Sequence, residues 1–164
     1  MQILNALQIE QKVTRLAFEI LEDNYQEQKL ILVGINTRGM LFARKLMAKL
    51  EEIGNLPIEL VQLKIDPANP LAKPCEVDSP MAVYSNEAII IVDDVANTGR
   101  TLFYAFQPFY QILPKKIQIA VLVDRKHKTF PVLVDFVGLS LATTLKEHIE
   151  VTIEDGQLTE ANLN

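Results

Sequence analysis

Residues Ile89–Thr101 read I-I-I-V-D-D-V-A-N-T-G-R-T, and the architecture turns on them. Ala88–Val92 is the most apolar run in the chain and has the length of a buried strand, not of a helix. It leads straight into two adjacent carboxylates, Asp93 and Asp94. A short loop follows with Thr98, Gly99 and Thr101, and then a helical pattern from Thr101 to Ile112, in which Pro108 demands a bend or an early end. A fully apolar strand feeding a loop and a helix is the repeating unit of a mostly parallel α/β sheet. The loop also has its own chemistry. A glycine and two hydroxyls at a helix start offer free N–H groups and O–H donors, which together suit an anion, most often phosphate. Gly99 allows the backbone to approach a ligand closely and to take positive φ. Asp93 and Asp94 repel phosphate, but they accept hydrogen bonds from ribose hydroxyls or stand near a metal-bound sugar. Polyol acceptors beside an anion cradle point to a sugar phosphate. The string contains neither a Walker A loop nor a Gly-x-Gly-x-x-Gly fingerprint.

Outward from this segment the α/β alternation continues. Val13, Leu16, Ala17, Ile20 and Leu21 recur at helical spacing and predict a helix over Gln8–Asn24. Leu30–Ile35 reads as a buried strand closed by Gly34 and Asn36-Thr37. Arg38–Glu52 returns to helical spacing through Leu41, Phe42, Leu46 and Leu50 and stops at Gly54-Asn55. Strands are expected at Pro57–Ile65, Lys116–Val123 and Val132–Val137, with a last one, at an edge, over His148–Ile153. The polar tail from Glu154 is expected to fray. Asp66–Pro80 holds Pro67, Pro70, Pro74 and Pro80, half of the eight prolines. No helix interior or central strand fits there, and the segment is either an ordered excursion or a mobile loop.

Composition sets the outer limits. The chain has 164 residues, which predicts one domain over 1–164. A chain of this size folds to roughly 8,200 Å² of surface and buries about 69% of what it exposes unfolded, enough for a core without staples. Hydrophobic residues make up 49% and charged residues 23%, which excludes a disordered chain. A single cysteine, Cys75, excludes an intramolecular disulfide and a cysteine-cluster metal site and fits a cytoplasmic setting. No signal peptide is expected at Met1–Glu10, and no apolar stretch reaches the length of a membrane span. A net charge of −5 rules out a whole-protein cationic field for nucleic acid while leaving room for a local basic patch.

V-D-D-V-A-N-T-G-R-T resembles the phosphoribosyl pyrophosphate (PRPP) motif of the type I phosphoribosyltransferases. L-V-G-I-N-T-R-G at Leu32–Gly39 looks like the loop after the first strand that holds pyrophosphate in those enzymes. I-Q-I-A-V-L-V-D-R-K-H-K-T-F-P at Ile117–Pro131, followed by V-D-F-V-G at Val134–Gly138, resembles one subgroup, the pyrimidine-operon attenuation regulators that are also uracil phosphoribosyltransferases. With the similar first helix, the likeness spans roughly residues 8–153. It implies a parallel twisted sheet flanked by helices, with a small hood. It further implies Mg²⁺ with PRPP, a nucleobase acceptor (uracil favoured), a possible RNA partner, no membrane, and a homodimer or larger homo-oligomer.

The same resemblance assigns the residues. Asp93 and Asp94 would take the ribose 2′- and 3′-hydroxyls, with Mg²⁺ close by through substrate and water, and with Arg38 would form the catalytic set. Ala96, Asn97, Thr98, Gly99, Arg100 and Thr101 would wrap the 5-phosphate. Thr37, Arg38 and Gly39 would contact pyrophosphate, a role that suits a permanently charged, bidentate guanidinium. Asp124 and Arg125 would lie near pyrophosphate and the base, or else form a surface ion pair. Val134, Phe136 and Val137 would belong to the hood, with Phe136 either stacked on the base or packed in the core. Arg125-Lys126-His127-Lys128, with Lys115 and Lys116, would offer RNA a basic cluster, or else a solvated turn. The chain departs from the pattern at four places. Ile65-Asp66-Pro67-Ala68 stands where the regulators carry Tyr-Arg-Asp-Asp, leaving Lys64 and Lys73 as the cations beside the active-site loop. Leu133 and Leu139 replace cations, and Asn97 stands where many members have tyrosine.

Overall fold

The computed structural model describes residues 1–144 and 147–164. Along the chain run β1 (Gln2–Leu4), α1 (Ala6–Asp23), β2 (Leu30–Ile35), α2 (Asn36–Ile53), β3 (Ile58–Lys64), β4 (Glu76–Val77), β5 (Ala88–Ala96), α3 (Arg100–Ala105), β6 (Lys116–Arg125), β7 (Phe136–Leu141), β8 (Ile149–Glu154) and β9 (Gln157–Leu163), with 3₁₀ turns at Met81–Tyr84 and Gln107–Gln111. Among the described residues two sheets form. The larger has the order β4-β3-β2-β5-β6-β7 and is parallel except for the two-residue β4, which pairs antiparallel with β3. The smaller has the order β1-β9-β8 and is antiparallel.

Apolar side chains leave the central strands on both faces, as continuous hydrophobic runs require. Leu30, Leu32, Ile90, Val92, Ala120 and Leu122 pack under α1 and α2. Ile31, Val33, Ile89, Ile91, Ile119 and Val121 pack under α3 and the 3₁₀ turn that follows it. Leu4, Ile149, Val151, Leu158 and Ala161 of the small sheet join the first of these clusters, so that sheet is anchored on the α1–α2 side. The helices lie close to their expected places. α1 starts two residues early because Asn5 and Gln8 form a capping box, each side chain accepting from the other's backbone N–H at 2.9 Å.

Four expectations are corrected. β5 does not stop at Val92; it continues through both aspartates to Ala96, with Asp93 paired to Val121 of β6. α3 ends at Ala105, because Pro108 has no N–H to give the Tyr104 carbonyl, which faces the Cys75 thiol instead (3.7 Å). β7 begins at Phe136, not Val132. The Asp135 carboxylate takes the Ile119 N–H at 2.8 Å, and the ladder starts one residue later, at Ala120 opposite Phe136. The tail does not fray: Gln157–Leu163 is β9, the central strand of the small sheet. Removing Gln157–Asn164 is therefore expected to lower Tm by 10 °C or more or to abolish cooperative unfolding (about 2–4 °C per kcal/mol for a chain of this size). A frayed tail would leave the calorimetric trace unchanged.

Candidate functional site

β2 and β5 are neighbours, but the connection after β2 runs outward to β3 while that after β5 runs outward the other way to β6. Strand order reverses between them, and a crevice opens beyond their carboxyl ends. A cavity of about 420 Å³ lies there. Its floor is Ile35, Asp93, Asp94 and Val95, and Asn36, Thr37 and Arg38 form one side. Asn97 and Thr101 form the other, Pro67 contributes from the proline-rich segment, and His148–Val151 of the small sheet roof it.

On the β2 side Asn36 leaves the strand with φ +49°. Its carboxamide donates to the Ile65 carbonyl and accepts from the Ile65 N–H, both at 2.9 Å, tying the first loop to the end of β3. Gly39 packs the first turn of α2 onto β5. A Cβ there would lie 2.5 Å from the Val92 carbonyl oxygen, so Gly39 is a packing position behind the cavity wall. Arg38 reaches across: it lies 3.7 Å from Asp94 and 3.5 Å from Glu150, and donates to the Val151 carbonyl.

On the β5 side Gly99 takes φ +79°. The Thr98 carbonyl accepts from the Thr129 and Phe130 N–H groups at 3.1 and 3.0 Å, so the turn after β6 braces the loop from behind. The Thr98 hydroxyl accepts from the Arg100 N–H at 3.3 Å, and the Arg100 guanidinium donates to the Ala68 carbonyl at 2.9 Å, joining the loop to the proline-rich segment. That segment is structured. Pro67 enters the cavity wall, and Lys64 and Lys73 line an adjoining hollow of about 450 Å³ that shares Asn36 and Thr37 with it.

Asp93 and Asp94 are nearly buried, at 8% and 7% exposure. The Asp94 N–H donates to Asp93 Oδ1 and the Val95 N–H to Asp94 Oδ1. Burial, and then the neighbouring Asp94 carboxylate, push the Asp93 carboxyl well above its usual range. Burial also raises Asp94, opposed by its contact with Asp93 and by Arg38.

Thus Thr37, Arg38, Asp93, Asp94, Asn97 and Thr101 come together at the cavity wall, with Ala96, Thr98, Gly99 and Arg100 completing the loop. Asp124 and Arg125 lie elsewhere. Asp124 pairs with Lys128 at 2.6 Å behind the loop, and Arg125 is 5% exposed and donates to the Thr144 carbonyl. Val134 packs against the core under α3, and Phe136 is a core residue under α1. The Val137 carbonyl accepts from Arg15. None of these three is at the cavity wall. The roof residues His148–Val151 escaped sequence reading. Their alternating pattern marked a strand but carried nothing that placed it over the cleft. Among the described residues, no three His, Cys, Asp or Glu side chains converge on one point as metal ligands would, and no helix is long and apolar enough to cross a membrane.

Such a fold, with carboxylates and a glycine-hydroxyl loop at the switch point, defines a class. The family model described as phosphoribosyl transferase domain matches residues 1–154, and the chain belongs to that family; its activity is phosphoribosyl transfer. Within the family it is similar to the bifunctional protein PyrR of Staphylococcus saprophyticus, with 37% identity over 160 residues covering 93% of this chain and 91% of the relative. It is also similar to the bifunctional protein pyrR of Enterococcus faecalis, at 34% over 161 residues and 94% and 90% coverage. Among solved structures, a hypoxanthine phosphoribosyltransferase of Trypanosoma cruzi superposes with a TM-score of 0.80 over 99% of this chain and 94% of that one, at 16% identity. A hypoxanthine-guanine phosphoribosyltransferase of Bacillus anthracis superposes with a TM-score of 0.71 over 86% and 82%, at 19% identity. At those identities the two structures speak for the type I fold alone.

The raised carboxyls have a consequence for stability. A folded pKa above the unfolded one means that the native state binds more protons, so stability falls as pH rises from about 4 through the folded value. Asp93→Asn removes that charge and keeps a side-chain acceptor for the Asp94 N–H. The ligand-free variant is expected to melt several degrees above the wild type at pH 8, with the gap closing toward pH 4, in a differential scanning series.

Proposed function

We propose that the chain transfers the 5-phosphoribosyl group of PRPP to uracil, yielding UMP and pyrophosphate. The observation that carries this reading is the cleft itself. Two buried carboxylates, a glycine-hydroxyl loop and an arginine face one another across the switch point. The 5-phosphate sits in Ala96–Thr101, with the Thr98 and Thr101 hydroxyls and the Gly99 and Arg100 amides as donors. Asp93 and Asp94 accept from the ribose hydroxyls, and the pyrophosphate lies toward Thr37 and Arg38. Uracil N1 bonds to C1 as the C1–O bond to pyrophosphate breaks, and the N1 proton departs to solvent. The protein holds the reactants in line and stabilises charge on the leaving group, while the carboxylates face the positive charge developing on the ribose. Two nearly buried carboxylates with one guanidinium at 3.7 Å suit a divalent cation brought in by the substrate. Mg²⁺ would be held near Asp93 and Asp94 mainly by substrate oxygens and water, and would supply charge neutralisation on the pyrophosphate.

Uracil is supported by the likeness to the curated relatives over more than nine-tenths of the chain. The purine enzymes among the structural neighbours share too little sequence to favour a purine. The relatives' designation as bifunctional supports a second reading, a regulator that binds RNA. Of the basic turn, however, Arg125 is buried and Lys128 is engaged by Asp124, which leaves Lys126 and His127 facing solvent. A gel shift with structured RNA that weakens with salt and responds to UMP would favour that reading.

Pyrophosphate release from Mg-PRPP, with uracil, orotate, hypoxanthine, guanine and adenine supplied one at a time, tests the substrate. Release with uracil alone is expected, and release with hypoxanthine instead would overturn the assignment. Asp94→Asn is expected to lower kcat/KM about 10²-fold or more with the fold retained by circular dichroism, a typical scale for removing an electrostatic group from a catalytic site. An unchanged kcat/KM would sink the role given to Asp94.

A further inference from the structure

β8 is an edge strand. Its His148-side backbone groups turn toward β9, where the His148 N–H and carbonyl pair with Asn164 at 2.9 Å each way. The groups of Ile149 and Val151 therefore point the other way, toward the cleft, where no strand follows among the described residues. An open edge needs partners. Both ligand loops of the large sheet supply them. The Asn97 carboxamide donates to the Ile149 carbonyl at 2.9 Å and accepts from the Ile149 N–H at 3.1 Å, imitating one residue of a neighbouring strand. Arg38 takes the Val151 carbonyl. Asn97 stands inside the 5-phosphate loop, so one side chain joins the element that grips the sugar phosphate to the wall that roofs the cleft.

We propose that Asn97 is a positioning residue that couples occupancy of the 5-phosphate loop to the placement of β8 over the cleft, the wall that the acceptor base would meet. Its side chain is engaged by Ile149, and its backbone belongs to the loop. Ordering of the loop by phosphate is passed to β8 through two hydrogen bonds, and the acceptor base then meets a wall already in place. The same coupling runs in reverse, so a bound base tightens the hold on PRPP. The proposal rests on the phosphoribosyl-transfer reading of the cleft.

Hydrogen exchange by mass spectrometry on the full chain, with and without Mg-PRPP, reads it directly, alongside steady-state kinetics with uracil. In the wild type, PRPP is expected to slow exchange across Ile149–Glu154 about tenfold. Asn97→Leu is expected to lose the protection of β8 and to raise KM for the base about tenfold, the scale of one to two hydrogen bonds, a larger loss than calorimetry shows in PRPP affinity. Asn97→Asp keeps the acceptor for the Ile149 N–H but sets a carboxylate against the Ile149 carbonyl; it is expected to lose the protection of β8 as Asn97→Leu does, and its added charge beside the phosphate also weakens PRPP binding. Protection of β8 by PRPP that survives in both variants would overturn the proposal. So would an equal fall in PRPP and base affinity in Asn97→Leu, or a wild type whose β8 PRPP does not protect. If no base is turned over while PRPP protects β8 through Asn97, the uracil reading fails and the coupling stands.

Discussion

The parallel pairing of β2 with β5 is the constraint on which the rest depends. In-register pairing from Leu30 opposite Ala88 to Gly34 opposite Val92 brings two carboxyl ends side by side, and the chain leaves them in opposite directions. A gap at that place is a geometric necessity of a doubly wound sheet. Everything chemical hangs from it: the Asn36 turn and Arg38 on one lip, the Asn97–Thr101 loop on the other, Asp93 and Asp94 between. The close approach of Gly39 to Val92 holds the lips together, since any side chain there would push α2 away from β5.

The price of the arrangement is visible in the carboxylates. Extending β5 through Asp93 to Ala96 buries two acids that a shorter strand would have left in solvent. One guanidinium, shared with Glu150 and the Val151 carbonyl, offsets them incompletely. The two acids are thereby held above their usual range by burial. The small sheet is part of the same balance, because its open edge is closed by Asn97 and Arg38 from the two lips of the cleft.

The parts of the molecule written in local sequence were legible. Ile89–Thr101 announced strand, loop and anion site because apolar length, glycine and hydroxyls act over a few residues, and both long helices showed their buried faces by spacing. Three kinds of feature were not legible. The partner of a strand is a long-range fact: nothing in Gln157–Leu163, which reads as a polar tail, says that it lies between β1 and β8. A side chain that replaces a ladder hydrogen bond, as Asp135 does for Ile119, shifts a boundary that residue preferences alone draw further upstream. The inward turn of Arg125 is likewise set by tertiary contacts, although its position in a run of cations reads as surface. Asn97 reads in the sequence as one more residue of the loop after β5. Its partner lies 52 residues away, beyond the reach of any motif.

The pairing of β1 with β9 sets Gln2 opposite Asn162. The large sheet, both ligand loops and the buried acids are complete once β7 has been made, but the roof needs a strand from each extreme of this fold. During synthesis the nascent chain therefore passes through a stage that has a phosphate loop and an uncovered cleft. Such a species presents the unsealed side of α1 and α2 and an anion site open to water. The roof over that site exists only once β9 has paired with both β1 and β8, so the cleft is closed by strands from the two ends of the described chain rather than by the elements that build its floor.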